Sequence, residues 1–114
     1  MKRDEILGLD DLGTDTFPVP KWGDVTIKEL TGEQREELEN LIQGFKARGA
    51  SKKSVRALAA VYSMVDKETG EAMFKADDVA ALAKKSGVAL DAVWDRVLKL
   101  NAMSKEEAAV VAGN

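Results

Sequence analysis

Residues 17–34 read FPVPKWGDVTIKELTGEQ, and this stretch decides between an all-helical chain and a mixed one. Pro18 and Pro20 exclude a helix interior, because proline lacks the N–H and its ring collides with the preceding turn, and each also forces its predecessor into extended geometry. Val25 and Ile27 alternate with Thr26 and Lys28, which is the period of a strand with one buried face. The spacing predicts a small hairpin turning near Trp22-Gly23-Asp24, with the prolines confining its first strand to a sheet edge. Thr31-Gly-Glu-Gln34 then has the spacing of a capping box, in which hydroxyl and glutamine each satisfy a backbone N–H of the other. Strand therefore gives way to helix at about residue 31.

From there the periodicity is helical. Leu38, Leu41, Ile42 and Phe45 fall on one face of a helix expected over about 32–48, with Gly49 as its stop. Ser51 starts a second helix whose stripe is Val55, Leu58, Ala59, Tyr62 and Val65. A short helix is expected over 78–85, carrying Val79 and Leu82 and ended by Ser86-Gly87. Leu90, Val93, Trp94, Val97, Leu98 and Asn101 define a helix over about 89–101, and Ser104-Lys-Glu-Glu107 opens a last one through Ala112. The reading is mainly α, an α+β single domain over 1–114 with an N-terminal hairpin and a second hairpin near 64–74. Residues 1–15 set Ile6, Leu7, Leu9 and Leu12 among acids, which suits a short helix or a flexible arm that orders against a partner.

The second hairpin competes with a metal site. Residues 65–82, VDKETGEAMFKADDVAAL, carry an acidic, glycine-containing loop before an acidic helix start. A calcium loop of the EF-hand kind needs oxygens at positions 1, 3 and 5, glycine at 6 and glutamate at 12. Counting from Asp66, glycine falls at 5 and Asp77 at 12, so the spacing is one residue short. The simpler reading is a turn over Asp66–Thr69, closed by Gly70 in the left-handed conformation, with Met73 and Phe74 returning to the core.

Composition narrows the chemistry. The 114 residues suffice for one core. There is no cysteine and no histidine, which removes thiolates, disulfides and the usual neutral-pH base and zinc ligand. A net charge of −3 gives no strong field for nucleic acid or an anionic membrane. No apolar run approaches the ~20 residues that span a bilayer, and MKRDEILGLDDL does not read as a signal peptide, so a soluble intracellular protein is expected. No cofactor, metal or catalytic residue is assigned; a carboxylate enzyme built on Asp66, Asp77 or Asp78 lacks a second converging group.

Three stretches carry a resemblance: VPKWGDVTIKELTGEQREEL (19–38), VDKETGEAMFKADDVAAL (65–82) and VWDRVLKLNAMSKEEA (93–108). In their order and spacing they resemble the tail assembly chaperones of tailed bacteriophages. The sequence departs from the expected pattern at Lys75, where a threonine or serine would cap the following helix. The resemblance implies a non-enzymatic protein of the host bacterial cytoplasm, absent from the mature virion. Such a protein binds the tape measure protein, keeps it soluble and helps recruit tail tube protein subunits, with self-association along the client. It also implies two product lengths arising by ribosomal frameshifting, and the ending Val-Ala-Gly-Asn suits the short one.

By exposure logic the candidate partner-binding residues are Trp22, Met73, Val110 and Val111. Each has an ordinary reading beside it. Trp22 at a turn either caps the core or offers a contact surface, whereas Trp94 sits in register with a core stripe. Met64, Met73 and Met103 are adaptable contacts on tolerant surfaces, but methionine more often fills core gaps. The alternative function is a small DNA-binding regulator using the basic Lys46–Arg56 junction. Against it, the following helix spends Val55, Leu58, Ala59 and Tyr62 on burial, and the bland account of the basic residues is favourable charge near a helix C-terminus.

Overall fold

A computed structural model describes residues 1–47 and 55–103, with side chains omitted at 41, 42 and 44–47. The fold is α+β. Its elements are α1 (Arg3–Leu7), β1 (Thr14–Val19), β2 (Gly23–Lys28), α2 (Gly32–Ala47), α3 (Val55–Ser63), β3 (Met64–Val65), a 3₁₀ turn (Ala76–Asp78), α4 (Val79–Leu82) and α5 (Gly87–Leu100). The antiparallel sheet runs β1-β2-β3, with Phe17 opposite Val25 and Ile27 opposite Met64.

β1 is the expected edge strand, and the register shows how it tolerates Pro18. Glu29 N–H donates to Gly13 O at 2.8 Å, so bonded pairs alternate down the ladder and Thr14, Thr16 and Pro18 point their backbone groups away from β2. The missing proline N–H thus faces outward, where no ladder bond is lost. Phe17 and Val19 turn inward, and on the opposite face Thr16 and Thr26 share a hydroxyl hydrogen bond of 2.8 Å. The turn itself lies earlier than expected. Trp22 N–H donates to Val19 O, Pro20 supplies the fixed φ of the second position, and Lys21 takes φ +73° at the third, the pattern of a type II turn. The chain reverses at Pro20-Lys21 and Gly23 already belongs to β2.

α2 begins with the reciprocal capping box. Gln34 N–H donates to Thr31 Oγ1 and Thr31 N–H to Gln34 Oε1, both at 3.0 Å. Leu38 is fully buried. The side chains of Leu41, Ile42 and Phe45 lie outside the described residues, as do Gly49, Ser51 and the basic residues from Lys46 to Lys53.

α3 departs from the expected stripe. Its buried residues are Ala57, Ala59, Ala60, Val61 and Ser63, while Val55, Leu58 and Tyr62 are only partly buried. A helix flanked by several others is covered on more than one face, and α3 packs on α5, α2 and α4. Three alanines there present little beyond Cβ, which suits close packing on all sides. Ser63 is satisfied by donating to Ala59 O at 2.7 Å. Val65 is not helical: the chain passes from Ser63 straight into β3.

The second hairpin forms, although its return limb is a single bridge from Ala72 to Val65 rather than a strand. Asp66 Oδ1 accepts from Glu68 N–H at 2.9 Å and Thr69 N–H at 3.0 Å. Gly70, at φ +73°, donates to Asp66 O at 2.8 Å. After it, the helix expected over 78–85 is shorter, a 3₁₀ turn leading into α4. Ser86 does not end that helix; its Oγ caps α5 by accepting from Ala89 N–H.

α5 lays Ala89, Leu90, Val93, Val97 and Leu98 into the core, with Trp94 on the partly buried flank rather than at the centre. It ends in a Schellman motif: Met103 N–H reaches Leu98 O at 2.8 Å and Ala102 N–H reaches Lys99 O, with Ala102 at φ +55°. Asn101, nearly fully buried, ties this end to the sheet. Its Oδ1 accepts from Leu30 N–H at 2.9 Å and its Nδ2 donates to Val97 O at 2.7 Å. Arg35 then donates to Asn101 O from α2.

Candidate partner-binding surface

The four candidate contact residues do not gather into one patch. Trp22 sits at the β1–β2 turn, partly buried and packed on the core, so its cap reading holds for much of the ring. Met73 follows the return limb beside β3, at the other edge of the sheet, and is 50% exposed. Met64 and Met103, by contrast, are buried gap-fillers. Val110 and Val111 lie outside the described residues, together with the last helix expected over 104–112.

Among the described residues, most of the exposed large apolar side chains lie elsewhere. Ile6, Leu7 and Leu9 are exposed, with Leu7 at 69% and the other two near half, and α1 contributes no buried residue. Val88, in the first turn of α5, is exposed as well. Sequence reasoning placed an arm at residues 1–15 but named no contact residue there. The sequence carried no signal for them: that Ile6, Leu7 and Leu9 stay exposed follows from the core closing without them.

Several charged side chains are engaged in structural tasks. Asp66 holds its own loop together, and the two backbone N–H groups, from Thr69 and Glu68, keep its carboxyl below the usual range. Asp78 Oδ2 accepts from Lys75 N–H at 2.8 Å, the reciprocal half of a capping box whose other half, a side-chain acceptor at position 75, lysine does not supply. Among the described residues no group of three or more acids converges to hold a metal ion. Arg96 pairs with Asp15 at 2.8 Å and lies over the Phe17 ring, 4.9 Å from its centre, fixing α5 across β1. Arg56, the described member of the basic junction, pairs with Asp91 of α5.

Tyr62 joins α3 to α2. Burial pushes its hydroxyl up from the ordinary value, and the adjacent Glu37, both by its charge and as a hydrogen-bond acceptor, pushes the same way. Each of these effects favours the protonated phenol. Among the described residues no helix is long and apolar enough to cross a membrane. The polar contacts just described hold the fold, and among the described residues the exposed large apolar side chains lie at the N-terminus, at Met73 and at Val88. Set against family models, curated protein sequences and solved structures, the chain matches none.

Proposed function

We propose that this chain is a non-enzymatic tail assembly chaperone of a tailed bacteriophage, which binds the tape measure protein, keeps it soluble and helps bring tail tube subunits to it. The proposal rests on the resemblance of the three quoted stretches. The structural observation that supports it is the exposed apolar surface: among the described residues, four of the six large exposed apolar side chains lie within the first nine positions. A monomer seldom leaves such side chains clustered without a partner for them. The client is a protein with long apolar helical faces, which such surfaces can cover by helix-in-groove contact. In this reading Met73 belongs to the client-binding surface and Trp22 lends its exposed edge. The protein acts in the host cytoplasm and leaves before the virion is complete.

The DNA-binding alternative fares less well. α3, the helix after the basic junction, is packed by three other helices, and its Arg56 is paired with Asp91. A recognition helix needs a free face with several polar side chains.

Co-expression with the neighbouring tape measure protein tests the proposal. The expected result is that the client stays soluble and co-purifies, and that Met73→Asp reduces the yield of complex while the chaperone remains folded. A client that precipitates regardless, together with salt-sensitive retention of this chain on DNA, would overturn it in favour of the regulator.

A further inference from the structure

A helix stays docked by what it buries, and the first half of α2 buries little. Over positions 32–40 Leu38 alone is buried, whereas the nine residues of α3 bury five. α2 packs chiefly on α3. Its polar ties to the body include Arg35 to Asn101 O at 3.3 Å, part-buried, and Glu37 to the Tyr62 hydroxyl. Such bonds each contribute modestly, because water offers the same groups an alternative partner. Elements with few buried apolar contacts open before the rest of a fold does.

The start of α2 leaves room for that motion. The chain is fixed as far as Leu30, which is buried and whose N–H is held by Asn101. Thr31 and Gly32 are exposed, and a Cβ at Gly32 would meet nothing of the surrounding fold within 4 Å. The Thr31–Gln34 capping box closes the helix end on itself, so leaving α3 costs α2 none of those capping bonds. Beneath α2 lies one face of α3. Tyr62 meets Glu37, and Leu58 and Val55 precede it at intervals of four and three, which places all three side chains on the same face. All three are partly buried there.

We propose that α2 is a displaceable lid, which swings off α3 about Thr31-Gly32, uncovers the stripe of Val55, Leu58 and Tyr62, and yields that place to an amphipathic helix of the client. The vacated strip is shaped by a helix, so its occupant is another helix with apolar side chains at the 3, 4 spacing. The occupant rests on the chaperone reading; the opening does not, and the two are tested apart.

The chain has no cysteine, Ala102 is exposed beside the Asn101 carbonyl that Arg35 reaches, and so Arg35→Cys with Ala102→Cys, joined by a bis-maleimide, ties the lid shut. The same variant, reduced and unlinked, is the control for the substitutions. Undocked, a helix of 16 residues is marginal in water, so amide hydrogen exchange reads the opening. In the unaltered chain the α2 amides are expected to exchange together, about tenfold or more faster than the buried amides of α3 and α5, while Leu30 N–H exchanges with the slow set. Linking removes that difference. α2 amides that exchange with the slow set in the unaltered chain, or that are unaffected by linking, would overturn the lid. The occupant is tested by diluting tape measure protein out of denaturant into linked or unlinked chain: the unlinked chain keeps it in solution and the linked chain loses most of it. Equal protection by both would overturn displacement by the client. A client that precipitates with the unlinked chain as well overturns the chaperone reading and the occupant with it, and leaves the lid to be judged by exchange.

Discussion

Replacing Asn101 with leucine keeps the branched outline of the side chain and removes both of its hydrogen bonds. Asn101 Oδ1 is the partner of Leu30 N–H, 71 positions away, and the bond is buried. Leucine leaves that N–H facing an apolar group, at a cost of about 1–3 kcal/mol for a buried unsatisfied donor. Loss of the Nδ2 bond adds less, because Val97 O still accepts from Asn101 N–H at 3.0 Å; about 0.5–1 kcal/mol is appropriate. The Arg35 bond runs to the main chain of residue 101 and survives the substitution. The total is about 1.5–4 kcal/mol, which for a domain of this size lowers Tm by about 6–16 °C. Urea denaturation followed by circular dichroism measures it, with Arg35→Ala as a control expected to cost less than about 1 kcal/mol, since its bond is longer and half exposed. A loss below about 0.5 kcal/mol for Asn101→Leu would mean that Leu30 N–H finds another partner, and that the junction of β2 with α2 is not held from α5.

Two residues occupy left-handed backbone at a cost glycine would not incur. Lys21→Gly and Ala102→Gly are each expected to raise stability by about 0.5–1 kcal/mol, the relief of left-handed strain less the added freedom of glycine in the unfolded chain; denaturant midpoints that fall instead would refute the turn and cap assignments. Tyr62 has a raised folded pKa, so the stability it contributes is complete below the ordinary phenol value and is lost as pH rises from there through the folded value. Ultraviolet titration of Glu37→Gln should move the tyrosine back toward the ordinary value, and an unmoved titration would show that Glu37 has no part in the shift. Asp66 has a lowered folded pKa, so its contribution is present above the ordinary carboxyl value and disappears as pH falls through the folded one. In Asp66→Asn, whose oxygen still accepts the loop N–H groups, that acid-dependent loss should vanish from the unfolding curves while the hairpin amide shifts in nuclear magnetic resonance spectra persist.

What the sequence made legible is what local chemistry dictates. The Thr31–Gln34 capping box, the Asp66–Gly70 turn and the outward placement of Pro18 each involve neighbours in the chain or a single ladder. The stripe of α5 was readable because that helix buries one face. α3 was not, because neighbours on several sides bury Ala57 and Ala60 as fully as Val61, and no single period encodes that. Val65 carries apolar character suited to helix or strand, and its pairing with Thr26 is a tertiary decision. Asn101 was readable as part of a helix but its role was not, since Leu30 lies far away in sequence. Of the candidate contact residues, Met73 was read both as returning to the core with Phe74 and as a contact; only Phe74 packs on the core, and Met73 stays half exposed, because the return limb pairs through a single bridge. The arm was legible as an arm, yet exposure of Leu7 and Val88 follows only from how the rest of the core closes without them.

The direct passage from Ser63 to Met64 also governs how the molecule assembles itself. A strand of two residues is too short to recruit itself to a sheet, and closing the long intervening chain onto β2 costs entropy that so few hydrogen bonds cannot repay. Here the same closure docks α3 against α5. The third strand is therefore delivered by the helix: the β1–β2 hairpin can form early from local contacts, while β3 joins only when the helices have come together. Sheet completion is thereby coupled to helix packing, and a substitution that weakens the docking of α3 is expected to weaken the pairing of β3 with β2 as well.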